Sequence, residues 1–382
     1  MMVSGADPVR VGIIGAGMIG KTHSIMLRMV ADRTQGSVCV ESVYDRNTDR
    51  AQFIVDKWPG ARLAHSADDL IGDPHIDAVY ICTPPASHRE VCIKAAVARK
   101  AIFCEKPLAM NPTQAVEMQA AIAENGAIAQ VGLVLRFSPV FTVIKEMCSQ
   151  PEAGRMLAVT MRDDQDFPTR GVHDSSWRND PAQTGGGALI EHSVHDFDLL
   201  TWMFGPVRRV SCATRNLNGA LGIEDFGSLQ FEFVRGFHGQ LISIWHRMIQ
   251  RPSNRRLEVF CENLFIACDH EAVGPISVQR GDGFEERIHE VDILRRFEEI
   301  ILSERPYLSP MRDVIRVPYA LEDAAFVAAV RGECAPDPAF EAGVAVQSFV
   351  HAAYRSARTS SAISLESQPA RNLQFGGIRQ LK

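Results

Sequence analysis

The chain has 382 residues, of which 46% are apolar and 23% charged, as in globular proteins; its length predicts two domains, because single cores rarely grow much beyond about 250–300 residues. A net charge of −6 with no basic stripe argues against a nucleic-acid partner, and no apolar run reaches the roughly 18 residues a membrane helix needs. The opening MMVSGADPVR has no signal-like apolar core and the nine cysteines form no C-x-x-C pair, so a cytoplasmic protein with reduced thiols and no zinc or redox motif is expected.

Residues 9–14, 38–44, 78–83, 101–104 and 127–131 are apolar runs of strand length, continuous as in strands buried on both faces. Helical stretches fall between them at 19–30, 48–57, 67–71, 89–98 and 113–124. Ser66 to Asp69 resembles a capping box, and Asn125-Gly126 is a helix stop. The alternation predicts a parallel sheet with right-handed crossovers.

The first strand runs into Gly15-Ala16-Gly17-Met18-Ile19-Gly20. Gly15 permits a tight turn, Gly17 lets a pyrophosphate approach the backbone, and Gly20 lets the helix pack on the strand; Met18 and Ile19 begin that helix beside the cofactor. The second strand ends at Asp45, placed to bind ribose hydroxyls and repel a 2′-phosphate, which favours NAD over NADP. Arg46 either pairs with a phosphate, leaving NADP possible, or points to solvent. A lengthened loop at 32–36 accounts for the wide spacing from Gly20 to Asp45.

Beyond Pro139, strands are expected at 157–162, 207–214, 228–233, 240–246, 257–261 and 264–267. Several alternate polar and apolar residues, as in a sheet with one face on helices and the other partly wet. A partner subunit would cover the wet face, or a monomer would leave it exposed.

Specific motifs join these pieces: Ile81-Cys82-Thr83-Pro84-Pro85 with His88, Cys104-Glu105-Lys106-Pro107, Arg136-Phe137-Ser138-Pro139, and GGGALIEHSVHDFDLL from Gly185 to Leu200. With the ending at 340–364, the series resembles the glucose–fructose oxidoreductase/inositol dehydrogenase/MocA (Gfo/Idh/MocA) family over residues 8–365. The resemblance implies an α/β chain with an N-terminal Rossmann NAD(P)-binding domain at 8–135. A C-terminal α+β domain at 136–365 would carry a large open, mostly antiparallel sheet for substrate binding and oligomerisation, ahead of a flexible tail at 366–382. It also implies hydride transfer between NAD(P) and a secondary alcohol or ketone of a sugar, cyclic polyol or related compound, in a homodimer or homotetramer. Thr83, Pro84, His88, Glu105 and Lys106 would lie on the cofactor side.

Alcohol oxidation needs a base for the hydroxyl proton and a cation for the developing alkoxide. Lys106, at the carboxyl end of the strand 101–104, suits the cation. A helix over 188–202 would put Glu191, His195 and Asp198 on one face beside the apolar stripe of Ile190, Val194 and Phe197. The resemblance maps the family's catalytic acid and histidine onto Glu191 and His195, with glutamate where the family more often has aspartate. His195 is then the general base, Glu191 positions substrate or tunes His195, and Asp198 either orients His195 or makes a salt bridge. His192 and Asp196 are expected to pack elsewhere. No metal is expected, because adjacent residues point about 100° apart and Glu191, His192 and His195 would not converge from a regular helix. The polar loop 163–180, with His173, Trp177 and Arg178, could form the lip of the site, Trp177 stacking on a sugar. Arg136 would contact substrate or cofactor, or form an interdomain ion pair. An NAD-dependent glycoside hydrolase working through transient oxidation and a non-catalytic nucleotide-dependent binding or regulatory protein are the alternatives.

Overall fold

The computed structural model describes residues 7–169, 175–271 and 273–365; His173 and the tail expected at 366–382 lie outside the described residues. Strands β1 (Val9–Ile14), β2 (Val38–Tyr44), β3 (Arg62–Leu63), β4 (Ala78–Ile81), β5 (Ala101–Cys104) and β6 (Ala129–Val131) form one parallel sheet. Their order is β3-β2-β1-β4-β5-β6, so the chain direction across the sheet reverses between β1 and β4 and opens a crevice at the carboxyl ends of those strands. Every residue of β4 and β5 is buried, which their continuous apolar sequences require.

Helices α1 (Met18–Arg33), α2 (Thr48–Val55), α3 (Ala67–Gly72), α4 (His88–Val97) and α5 (Pro112–Asn125) cross between these strands. Ser66 Oγ accepts the N–H of Asp69 at 3.0 Å, while the Asp69 carboxylate accepts from His65 N, one residue before the cap, at 3.1 Å. Gly126 ends α5 in the left-handed region at φ 62°. The spacing from Gly20 to Asp45 is mostly helix rather than the expected lengthened loop, because α1 runs on through Arg33.

The chain continues through α6 (Pro139–Ser149), β7 (Met156–Asp166), α7 (Pro181–Thr184), α8 (Ala188–Glu191), α9 (Val194–Phe204), β8 (Val207–Arg215), β9 (Phe226–Phe233), β10 (His238–His246) and β11 (Asn254–Cys261). It closes with β12 (Leu264–Cys268), β13 (Ile276–Arg280), β14 (Glu286–Ile288), α10 (Glu290–Glu304), α11 (Pro318–Val330), α12 (Phe340–Thr359) and β15 (Ile363–Ser364). The second sheet has the order β14-β13-β12-β11-β7-β10-β9-β8-β15, and its β7–β10 pair is parallel while the other pairs are antiparallel. Strands β3, β13, β14 and β15 carry too few apolar residues to have announced themselves. Period two is strict in β11: Leu257, Val259 and Cys261 are buried, whereas Arg256 and Phe260 are exposed.

The last helices close the molecule. Each residue from Ala320 to Val330 in α11 is buried, and this helix lies against α1, while α12 packs on α5 and β8. One apolar core therefore runs from Val9 to Ala353. Among the described residues no helix is long and apolar enough to cross a membrane.

Candidate active site

A cleft of about 820 Å³ lies over the carboxyl ends of the first sheet and extends to α8, α9 and β11. Its floor begins with Gly15, at φ 99°, and Gly17, where an added Cβ would meet nothing within 4 Å. No side chain caps the N-terminus of α1, and Met18 and Ile19 of its first turn line the cleft, an arrangement that suits anion binding. Gly20 is not among the lining residues: a Cβ there would overlap the Gly15 carbonyl oxygen, so this glycine serves helix packing. These are the openings a dinucleotide's pyrophosphate needs.

At one end Asp45 Oδ2 accepts the N–H of Ala16 at 2.7 Å and its Oδ1 accepts that of Asn47 at 2.7 Å. Arg46 lines the cleft beside it, and so does Arg50, which sequence reasoning missed. Thr83 and Pro84 also line it. His88, expected on the cofactor side, is instead fully buried away from the cleft. Its ring contacts the carbonyl oxygens of Thr83 at 2.7 Å and Leu108 at 3.3 Å, which ties the loop together, and burial lowers its pKa.

In mid-cleft stand Glu105 and Lys106, joined to Pro107 by a cis bond. Glu105 Oε2 accepts the backbone N–H of Lys106 at 3.0 Å. Lys106 Nζ donates to the Glu191 backbone carbonyl at 2.9 Å and lies 4.0 Å from Glu191 Oε1. That carbonyl is open because the expected helix over 188–202 is broken at His192-Ser193. The N–H of His195, which would cap Glu191 in a regular helix, goes to His192 O at 3.3 Å instead. Ser193 supplies the cause: its hydroxyl is drawn to Asp163 at 3.1 Å and Ser243 at 2.7 Å on β7 and β10.

The break also regroups the side chains. Glu191, His192 and His195 all line the cleft, although a regular helix would have turned His192 away. Glu191 accepts from Arg178 Nε at 2.7 Å; burial would raise its pKa, but the charges of Arg178 and then Lys106 outweigh this and hold it at about 2. His195 is buried except toward the cleft, and its Nδ1 has no partner among the described residues. Burial, then the charge of Lys106, keeps its pKa well below the usual value, so the ring is neutral at pH 7 and able to take a proton. Trp177 lines the same end, with the Arg178 guanidinium 4.6 Å from its ring centre.

For Asp198 and Arg136 the structure selects the salt bridge from the alternatives that the sequence left open. Asp198 does not reach His195: it holds Arg136 through Nη2 at 2.6 Å and Nε at 3.0 Å. Arg136, bound in this way, is not among the cleft-lining residues, so the ion pair replaces the substrate contact. Asp196 is fully buried below the cleft, 2.7 Å from Arg255 Nε, and its pKa is pushed up to about 7 by burial. Arg255 also meets Glu271 and contacts His192 Nε2 at 3.1 Å. Sequence reasoning missed Arg255, Glu271 and Tyr319, which line the cleft, whereas Gln165 belongs to the segment 163–180 expected at its lip, though the first residues of that segment are strand β7 and not loop. Arg255 left a signal, since it shares the inward register of Leu257 and Val259 on a half-buried strand.

Comparison with known proteins matches residues 9–133 to the oxidoreductase family with an NAD-binding Rossmann fold, and residues 141–266 to the GFO/IDH/MocA C-terminal domain. The chain is 33% identical over 196 residues to an uncharacterised oxidoreductase of Bacillus subtilis, spanning 51% of this chain and 53%, about half, of that protein. It is 30% identical over 235 residues to the 1,5-anhydro-D-fructose reductase of Ensifer adhaerens, covering 60% of this chain and 68% of the reductase. Among solved structures, levoglucosan dehydrogenase in complex with NADH and levoglucosan superposes with a TM-score of 0.80 at 21% identity, over 94% of this chain and 99% of that one, a likeness of fold.

Proposed function

Since the chain belongs to the Gfo/Idh/MocA oxidoreductase family, we propose that it moves a hydride between a nicotinamide cofactor, NAD in preference to NADP, and a secondary alcohol or ketone of a sugar or cyclic polyol. The observation that carries this reading is the shared cleft: it runs from the open glycine turn and Asp45 to Lys106, Glu191 and His195. The nicotinamide supplies the hydride acceptor or donor. His195, neutral at pH 7, takes the hydroxyl proton on oxidation and returns it on reduction. Lys106 stabilises alkoxide character on the same oxygen. Glu191, anionic and pinned by Arg178, holds the ammonium of Lys106 in place and accepts a substrate hydroxyl. Trp177 offers a flat apolar surface to a sugar face. Names of similar proteins support this class of substrate, which includes an anhydrofructose and levoglucosan.

We also place the protein in the cytoplasm, consistent with nine free thiols, and assign it a homo-oligomer built through the outer face of the second sheet. That face carries Phe260, 40% exposed and 4.9 Å in ring contact with Phe265 across the β11–β12 pair, among polar neighbours.

Near-ultraviolet absorbance with NAD, then NADP, against cyclic polyols, sugars, sugar acids and aryl glycosides tests the reading. Reduced cofactor should accumulate with NAD, and Lys106→Ala and His195→Ala should each lower kcat by about 10²–10⁴-fold. Released aglycone without net reduced cofactor would replace dehydrogenation with hydrolysis, and full activity in the His195 variant would remove its role as base.

A further inference from the structure

Directly beneath the Glu105-Lys106 turn is a buried polar cluster that hydride transfer does not itself require. His23 of α1 is fully buried. Its Nε2 lies 3.0 Å from Glu105 Oε1 and its Nδ1 lies 2.8 Å from Asp323 Oδ1 of α11. The Tyr80 hydroxyl donates to the same Asp323 oxygen at 3.3 Å. Glu322, next to Asp323, is fully buried with neither carboxylate oxygen partnered among the described residues.

A neutral imidazole has one N–H to donate, whereas two carboxylate oxygens at these distances call for two. The cation form satisfies both and also offsets the charge of the two carboxylates that it bridges. The titratable groups facing the ring are Glu105 at the end of β5, Tyr80 of β4, and Tyr319, Glu322 and Asp323 of α11. Burial alone would strip the proton from His23; the charge and hydrogen bond of Asp323, then those of Glu105, outweigh it and raise the ring's pKa well above the usual value. Ligand-type atoms of His23, Glu105 and Glu322 lie within 4.8 Å of one another, but a metal ion would need a bare lone pair on His23, and both nitrogens are engaged by carboxylates.

We propose that His23 is a positioning residue of the active site: a doubly protonated imidazolium that ties Asp323 to Glu105 and thereby fixes the backbone from which Lys106 enters the cleft. The line of contact is continuous. Asp323 holds His23, His23 holds one oxygen of Glu105, the other oxygen holds the N–H of Lys106, and Lys106 Nζ reaches Glu191. Without the cation, the Glu105 carboxylate, which borders the cleft, is free to turn toward the ammonium and displace it. The proposal rests on the role given to Lys106 above, but its charge assignment does not.

The first experiment is independent of turnover. Ring-nitrogen NMR of the full-length protein labelled with ¹⁵N-histidine, with His23 assigned by the signal lost in His23→Gln, should show both nitrogens protonated at pH 7. A neutral His23 ring at pH 7 overturns the proposal, whatever the substrate proves to be. The second experiment compares His23→Gln, His23→Phe and Asp323→Asn by turnover per NAD-binding site. The expected result is a fall in kcat of roughly 10–100-fold with the NAD affinity nearly unchanged, and a smaller loss in His23→Gln, whose amide can still donate. Unaltered kcat per binding site in all three variants would reduce the cluster to a folding element and overturn the positioning role. If the variants fail to fold, the NMR result alone decides, and if the wild type reduces no cofactor, dehydrogenation fails while the charge assignment stands or falls separately.

Discussion

Glu191 lies between two cations, and its charge state is the most strongly biased of the cleft acids: a pKa of about 2 against an unfolded value of 4.5. A depressed acid contributes stability that is complete above its unfolded pKa and fades as pH falls toward its folded one. The wild type should therefore lose stability between pH 4.5 and about 2 more steeply than Glu191→Gln, by roughly 3 kcal/mol across that window, as read by thermal melts at stepped pH. At the other end of the cleft Asp45 is the residue to which we assign the proposed preference for NAD. Asp45→Ala removes the carboxylate that would repel a 2′-phosphate and leaves Arg46 and Arg50 beside the cleft to attract one. The ratio of NAD to NADP affinity should drop by about tenfold or more, measured by fluorescence titration with each cofactor. Asp45 was legible because strand end, glycine turn and acid stand in one short pattern. Arg178 against Glu191 was not paired in advance, since its position depends on how the lip loop folds back over α8.

Within the glycine turn, two residues of the same type do different work, and substitution separates them. Gly17→Ala meets no atom within 4 Å and should leave the melting temperature nearly unchanged while weakening NAD binding by about tenfold or more. Gly20→Ala drives a Cβ into the Gly15 carbonyl and should destabilise the protein by about 2–4 kcal/mol before any question of cofactor arises. Paired melts and cofactor titrations check both. The turn and the parallel strands could be read directly because their signals are local: apolar runs, glycines and caps within a few residues. The break between α8 and α9 could not. A serine in a helix is unremarkable until its partners are known, and those of Ser193 lie 30 residues before it and 50 after it. His23 and the acids of α11 did leave traces. His23 shares the buried helical face of Gly20 and Leu27, and Glu322-Asp323 interrupts an otherwise apolar helix.

At the scale of the molecule, the second sheet has one face covered by helices and another on which Phe260 stands exposed. Phe260→Lys should shift the sedimentation of the protein toward the monomer with its secondary structure intact; a wild-type protein that sediments as a monomer would remove the proposed interface. The architecture was legible as two sheets, but the return of α11 onto α1 was not, because 300 residues separate His23 from Asp323 and local pattern is silent at that range. That long closure bears on how the protein is made. A ribosome delivers the whole glycine turn, the first sheet and Glu105-Lys106 long before it reaches Asp323, and during that interval the nascent first half holds His23 without its second carboxylate and an α1 face without its cover. The nucleotide site should mature last, on release of the finished chain, so a message truncated before α11 would yield a sheet with the right strands and no dependable grip on its cofactor.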